Sequence, residues 1–561
     1  MNPMMRHALK CLGLVSIGLL VGCEPKSADL KGKPPAAKAP DLLARYHFVG
    51  TRQLLENPQV PMLKAIAELR ETGELRQKTL ERLAAAEIVG LTGDANAATS
   101  NRVAMLLPMM EDWLASESFL EARGAPDRPM EITLAVRLDA VRVGTWKKQW
   151  ADFSTAAELG TPVDIAPEGF PGWEVKLKRA PHRLRFVGAG AWALLGLGSD
   201  DLPTLAQAVA RCKAGEAPAA STGTNVLTAE LNLPRLAGSW GLPEFFQGPP
   251  GQWPQVAVAV NAAGGNLRSR MRLTYAQALT WRLEKWNLPT NMMRDPLISF
   301  TAMQPIASWL TKAAVVRELG IQPLPNQAFL WAQSVPPKQS SAAVPVADAN
   351  KVLTQIGTKL PYLVNTNLAK SEQGQILWAT NLNHVVWDGL LGLVPALRPA
   401  VEPNAQFVTA SLFPTFANTN PPPEGLMAQF VGRTNLVYYD WEITQTRLDQ
   451  LRLVAYMAES NLRRHRASTP GDLPVFSPRR PAQKFLAAIL PRLSRDTDRG
   501  REGESITEIT LTSSRELTLV RRSPVGLTAL EFIGLSWWLE SPSFPRLSPA
   551  SASSGQPAKA R

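Results

Sequence analysis

The sequence predicts an α+β fold: an N-terminal helical region, then two strand-rich modules of mainly antiparallel sheet with packed helices. Three observations carry this. Apolar residues recur at three- and four-residue spacing as far as about residue 127, the apolar period drops to two from Pro129, and short apolar runs then alternate with helices opened by Asp. A composition of 45% hydrophobic and 19% charged residues can build a large core, which excludes a disordered chain. The expected organisation is 1–22 signal, 23–40 tether, 41–128 helical region, 129–290 first α+β module and 291–540 second. An Arg/Pro-rich insertion at 467–501 and a Ser/Pro/Ala-rich tail at 541–561 complete it.

The chain starts with Arg6 and Lys10, followed by the apolar run Cys11–Gly22. At roughly 12 residues this run has signal-peptide length and falls short of the ~20 needed to cross a bilayer. It ends in Leu20-Val21-Gly22-Cys23, which resembles the lipobox of bacterial lipoproteins. That resemblance implies cleavage before Cys23, a diacylglycerol on its thiol, and an exported chain anchored to the membrane of the cell envelope. The stretch from Glu24 to Pro40, with Pro25, Pro34, Pro35 and four lysines, cannot bury enough surface to fold and reads as a tether. With Cys11 removed and Cys23 lipidated, Cys212 is left alone and forms no intramolecular disulfide. It reads as an unreactive helix thiol.

Helices are expected at Pro61–Glu71, Glu74–Gly90 and Asn101–Gly124. The first module should hold strands at Glu131–Leu138, Trp173–Lys178, Arg183–Leu197 (as a pair), Asn225–Leu233, Gln255–Val260 and Leu267–Tyr275. One helix passes through Trp146 and Trp150, and another opens at Ser199-Asp200-Asp201. The second repeats the order, with strands at Ile298–Ala302, Gln327–Gln333, Gln375–Thr380, Gln406–Leu412 and Asn435–Thr444. Its helices lie at Pro305–Lys312, after Asp348, and after a capping box at Thr446-Arg447-Leu448-Asp449. The recurrence is compatible with a degenerate duplication and with two unrelated α+β stretches. A hairpin with Ile509 and Leu511 facing Leu517 and Leu519, then a helix from Ser523-Pro524, closes the fold.

The motifs are sparse. Gly188-Ala189-Gly190-Ala191-Trp192-Ala193 superficially fits a dinucleotide fingerprint, but no helix opens there and it reads as a glycine-bearing strand. His47, His182, His384 and His465 form no zinc spacing, and His384 with Asp388 reads as packing, so no metal or cofactor is expected. In Tyr438-Tyr439-Asp440-Trp441-Glu442, Asp440 and Glu442 share one strand face as candidate coupled carboxylates. Asp-Trp-Glu resembles the end of the catalytic strand motif of chitinase-like glycosidases, which implies that Glu442 is a general acid. The upstream Asp positions of that motif fall on Asn435 and Tyr438, and the eightfold barrel repeat is not evident. The opposing expectation places Tyr439, Trp441 and Ile443 in the core and both acids in solvent.

The net charge is +12, to which Arg6 and Lys10 contribute two. Basic residues outnumber acidic ones from Arg452 to Arg522, notably at Arg463-Arg464-His465-Arg466, Arg479-Arg480 and Arg521-Arg522, which suits anionic lipid, an envelope glycan or a solvated loop. Nucleic acid is not an expected partner of an exported chain. The reading is a lipid-anchored envelope protein that binds or scaffolds, another envelope protein being one partner. Its alternatives are a glycan hydrolase using Asp440 and Glu442 and a lipid or glycolipid carrier with an apolar groove. Cys23→Ala is expected to abolish labelling by radioactive palmitate and to leave the precursor uncut on a gel.

Overall fold

A strand, not a helix, opens the described chain. In this computed structural model the described residues are 41–545, apart from 126–127, 179–181, 201, 220–222, 241–252, 336–337, 371–372, 404, 414–419, 464–479, 495–503 and 542–543. The signal, Cys23, the tether and the tail beyond 545 lie outside them. Fourteen α-helices and twenty strands fall within them. No helix among the described residues is long and apolar enough to cross a membrane. The chain divides into two units, one running to Gln277 and resuming at Gly534, the other spanning Ala278–Ile533.

In the first unit β1 (Asp41–Phe48) is followed by helices α1 (Thr51–Glu56), α2 (Pro61–Ala67), α3 (Arg70–Thr92) and α4 (Ser100–Ala115). Strands β2 (Ser118–Ala125) and β3 (Arg128–Arg137) lead to α5 (Ala140–Ala156). Then come β4 (Val163–Ile165), β5 (Gly172–Lys176), β6 (Arg183–Ala189), β7 (Trp192–Gly198), α6 (Pro203–Lys213), β8 (Leu227–Asn232), α7 (Leu233–Trp240), β9 (Gln255–Ala263) and β10 (Asn266–Thr274). The expected helices are present, but no separate helical region exists. They are a connection between two central, adjacent strands, and the last of them ends at Ala115, where the helix expected as far as Gly124 gives way to β2. Asp139 caps α5 by accepting the Arg142 N–H at 2.8 Å. Asp200 does not open α6: it pairs with Arg183 at 2.5 Å, and the helix begins at Pro203. The Gly-Ala-Gly-Ala run is the β6–β7 hairpin, with Gly190 at φ +62° in its turn.

Strands pair antiparallel in the order β10-β9-β8-β1-β2-β3-β7-β6-β5-β4. One core lies under α3, α4 and α5, around Ile88, Met109, Trp146, Phe153 and Phe186. Another, around Phe119, Val187, Leu194 and Leu205, is closed by α6. Arg82 of α3 donates to the carbonyls of Leu539 and Ser541 and sits 4.9 Å from the Phe544 ring, tying the returning C-terminal segment to this unit.

The second unit runs β11 (Leu297–Met303), α8 (Ala307–Leu310), α9 (Ala314–Leu319), β12 (Ala328–Gln333), β13 (Ser340–Val346) and α10 (Ala349–Lys370). It continues with β14 (Gln375–Ala379), β15 (His384–Asp388), β16 (Ala396–Glu402), β17 (Ala405–Ser411), α11 (Glu424–Ala428), β18 (Leu436–Ile443), α12 (Thr444–Arg463), α13 (Pro481–Ser494), β19 (Glu504–Ser513) and β20 (Glu516–Ser523). Helix α14 (Ala529–Glu540) follows. Three expectations change here. Helix α13 occupies much of the Arg/Pro-rich insertion, because Ala482, Leu486, Ile489 and Leu493 at helical spacing are buried. Helix α12 already runs at Thr444, so Thr446 lies inside its first turn and caps nothing. The last helix starts at Ala529 instead of Ser523. Gly357 of α10 lets the helix approach the sheet, since a Cβ there would lie 2.5 Å from the Trp378 ring.

The strand order is β20-β19-β18-β11-β12-β13-β17-β16-β15-β14, position for position that of the first unit. Register matches too. The β1–β2 ladder slips between Leu42 and Ala44, and the β11–β12 ladder slips between Leu297 and Ser299 at the corresponding place. Hairpin β6–β7 pairs Arg183 with Gly198 through to Ala189 with Trp192, and β16–β17 pairs Ala396 with Ser411 through to Glu402 with Ala405. Asp348 caps α10 as Asp139 caps α5, accepting the Lys351 N–H at 2.9 Å. Asp139→Ala and Asp348→Ala are each expected to destabilise by about 1 kcal/mol in denaturant titrations, with unchanged m-values.

Candidate functional site

Strand β18 carries the sequence Leu-Val-Tyr-Tyr-Asp-Trp-Glu-Ile between β11 and β19. Period-two alternation sends Tyr439 and Trp441 into the aromatic core with Phe300, Phe329 and Phe430. Tyr438, Asp440 and Glu442 take the other face. That face is not solvated: Asp440 is 8% exposed and Glu442 3%. The expectation of solvent-facing acids fails because helices follow β18 and β20 and leave no open side.

Asp440 lies opposite Thr301 on β11 and Thr507 on β19, and Glu442 opposite Ser299 and Ser505. Thr301 Oγ1 donates to Asp440 Oδ1 at 2.6 Å. The Ala529 N–H, at the start of α14, donates to Glu442 Oε1 at 2.7 Å. That helix start also holds a capping box: Thr528 Oγ1 accepts the Glu531 N–H at 3.3 Å, and Glu531 Oε2 accepts the Thr528 N–H at 2.8 Å. Glu531 is bridged twice by Arg521 at 2.7 and 2.8 Å, and the same guanidinium donates to Thr507 Oγ1 at 2.9 Å and the Gly526 carbonyl at 3.2 Å. Arg447 reaches the acids from α12 and is fixed by Gln450.

Three carboxyls therefore face two guanidiniums. An unbalanced buried charge is costly, so the cluster reaches neutrality by keeping one proton. Burial, reinforced by the Asp440 charge, pushes the Glu442 carboxyl up to about 8. Burial also raises Asp440, opposed by the Thr301 hydroxyl and Arg447. The Arg447 guanidinium is lowered by burial and supported by both acids, and burial lifts the Tyr438 hydroxyl well above its usual range.

At the positions equivalent by register, the first unit is apolar. Ala229 stands for Asp440, Leu231 for Glu442, Tyr46 for Thr301, Val258 for Thr507 and Met271 for Arg521. Leu231 and Tyr46 pack there around Leu43, Ala44, Leu120 and Leu236. The fold itself thus has no need of acids at this place. Sequence reasoning found the two acids but not Arg447, Arg521 or Glu531. The Thr528-x-x-Glu531 spacing was the available signal for the last.

The remaining candidates are dispersed. Cys212 is half-buried on α6, its thiol raised by burial. His384 and Asp388 occupy opposite ends of β15, and burial lowers the imidazole. Among the described residues no group of three His, Cys, Asp or Glu is arranged to hold a metal ion. Of the basic pairs, Arg521 is committed to Glu531 while Arg522 is exposed; residues 464–466 and 479 lie outside the described residues. A cavity of about 680 Å³ in the second unit mixes Pro323, Pro325 and Val401 with Glu284, Glu402 and Gln406. Comparison with family models, curated proteins and solved structures returned no match.

A carboxyl raised on folding stabilises the folded state below its unfolded value of 4.5 and loses that contribution as pH rises towards about 8. Stability should therefore decline across this window, and Glu442→Gln should flatten the decline when chemical-denaturation midpoints are compared pH by pH. Burial raises Glu87 of α3 to about 8 as well, so the difference between wild type and variant is the measured quantity.

Proposed function

We propose that this is a lipid-anchored protein of the bacterial cell envelope, held through Cys23, that acts by binding or scaffolding and not by catalysis. The observation that carries the non-catalytic reading is the commitment of both acids. Asp440 and Glu442 are enclosed under helices, and each is engaged by a fixed donor, Thr301 or the Ala529 amide. A general acid needs access to its substrate, and its proton must leave in the reaction. Here the retained proton offsets buried charge, and Glu442 and Glu531 hold the start of α14. The mixed lining of the 680 Å³ cavity likewise gives little support to an apolar carrier groove.

The two units are inferred to be copies of one ten-stranded antiparallel module. Support comes from the common strand order, the common bulge in the β1–β2 and β11–β12 ladders, and the common Asp cap. Two such modules on one anchored chain offer two surfaces that can diverge, which suits a scaffold. The protein is expected to release no reducing ends from purified cell-wall glycan over a wide pH range. Release by wild type that disappears in Glu442→Gln, with the variant folded by circular dichroism, would replace this reading with the hydrolase.

A further inference from the structure

The apolar face of β11 and β18 has a first-unit counterpart of opposite character. Register carries the row Arg272–Ala257–Glu230–Arg45 across β10, β9, β8 and β1, and the row Arg270–Ala259–Thr228–His47 beside it. Arg268 follows on the same side of β10, opposite Asn261. Arg268, Arg270 and Arg272 are exposed at every second position, and Arg45 and Glu230 keep 53% and 46% of their side chains in solvent while paired at 2.8 Å. Helix α7 does not cover this side, because Leu236 packs on the opposite one with Ala44 and Leu231. In the second unit the corresponding residues include Phe300, Tyr439 and Trp441, all in or against the aromatic core.

We propose that this arginine-bearing face of β10-β9-β8-β1 is the surface that the protein lays against anionic phospholipid headgroups. The proposal rests on the lipid-anchor reading and adds an orientation to it. On these four strands Arg45, Arg268, Arg270 and Arg272 stand against Glu230. Glu121, opposite Arg45 on β2, is itself paired with Arg123 at 2.5 Å, so the face keeps a net positive charge. The β10 arginines lie about 7 Å apart along the strand. Ala257 and Ala259 between them have no side chain tall enough to screen the arginines. Planar guanidinium forks match phosphate oxygens. Strand β1, which borders this face, begins at Asp41. The chain from Cys23 to Asp41 spans at most about 65 Å fully extended, so a lipid at Cys23 holds the start of β1 within that reach of the bilayer. An attraction of this kind weakens with ionic strength.

The test uses the unlipidated chain from residue 24 onward, sedimented with vesicles of phosphatidylcholine alone or mixed with phosphatidylglycerol. Binding is expected only to the mixed vesicles and to fall at least tenfold between 50 and 300 mM salt, roughly as polyvalent charge attraction requires. Arg268→Glu with Arg270→Glu should lower it at least tenfold, and Arg268→Gln with Arg270→Gln by a smaller factor, each variant checked for native circular dichroism. Equal binding to both vesicle types, no vesicle binding, undiminished binding by the folded variants, or binding to a soluble acidic glycan in preference to vesicles each overturns the proposal. Palmitate labelling of the full chain is read separately, so failure of the anchor and failure of this surface are distinguishable.

Discussion

Cross-strand register is the constraint on which everything else in this protein depends. In an antiparallel sheet a one-residue slip transfers every side chain to the other face. The slips at Leu43 and Ile298, between the same pair of strands in each unit, therefore set which residues meet which layer. With register common to both units, each position has a counterpart, and the polarity of the two faces is exchanged. The face holding Tyr46, Ala229, Leu231 and Met271 is apolar in the first unit and polar in the second, where it holds Thr301, Asp440, Glu442 and Arg521. The other face changes in the opposite sense, from Arg45 and Glu230 to Phe300 and Trp441.

The cost of burying Asp440 and Glu442 is met locally by Arg447, Arg521, the hydroxyls of Thr301 and Thr444, and the first amide of α14. Replacement by apolar residues is a workable solution for this fold, as Ala229 and Leu231 demonstrate, and buried ion clusters are seldom the most stable choice. What the acids add is specificity. Glu442 accepts one defined amide, and Glu531 pairs with one defined arginine while closing its own capping box. Helix α14 is thereby placed by directional bonds instead of by apolar contact alone.

Much of this was legible in the sequence, and the omissions have physical causes. Hairpins such as β9–β10 and β19–β20 announce themselves by alternation and a two-residue turn, Gly264-Gly265 in one and Ser514-Arg515 in the other. Strand β1 is not legible because Arg45 and His47 break its apolar pattern, nor is β2, because Phe119, Leu120 and Ala122 also fit a continued helix. Strands β13 and β16 contain Pro345 and Pro399, which argue against a central strand. Pro399 is tolerated because β15 pairs with β16 only at Ala396 and Leu397. Spacing marks the acids but not their burial, since a period-two pattern identifies opposite faces without saying what covers them. Arg447, Arg521 and Glu531 come from three separate elements and meet only in the folded chain.

The hydrogen bonds from Arg82 to the Leu539 and Ser541 carbonyls join residues more than four hundred and fifty positions apart within the first unit. This couples folding to the order of synthesis. The first ten strands leave the ribosome, and on the export reading the translocation channel, long before the segment that Arg82 grips. Until that segment emerges, the amphipathic surface of α3 around Arg82 stays without its cover. Completion of the earliest-made unit thus waits on nearly the last residues, which makes C-terminal truncation a lesion of the N-terminal half.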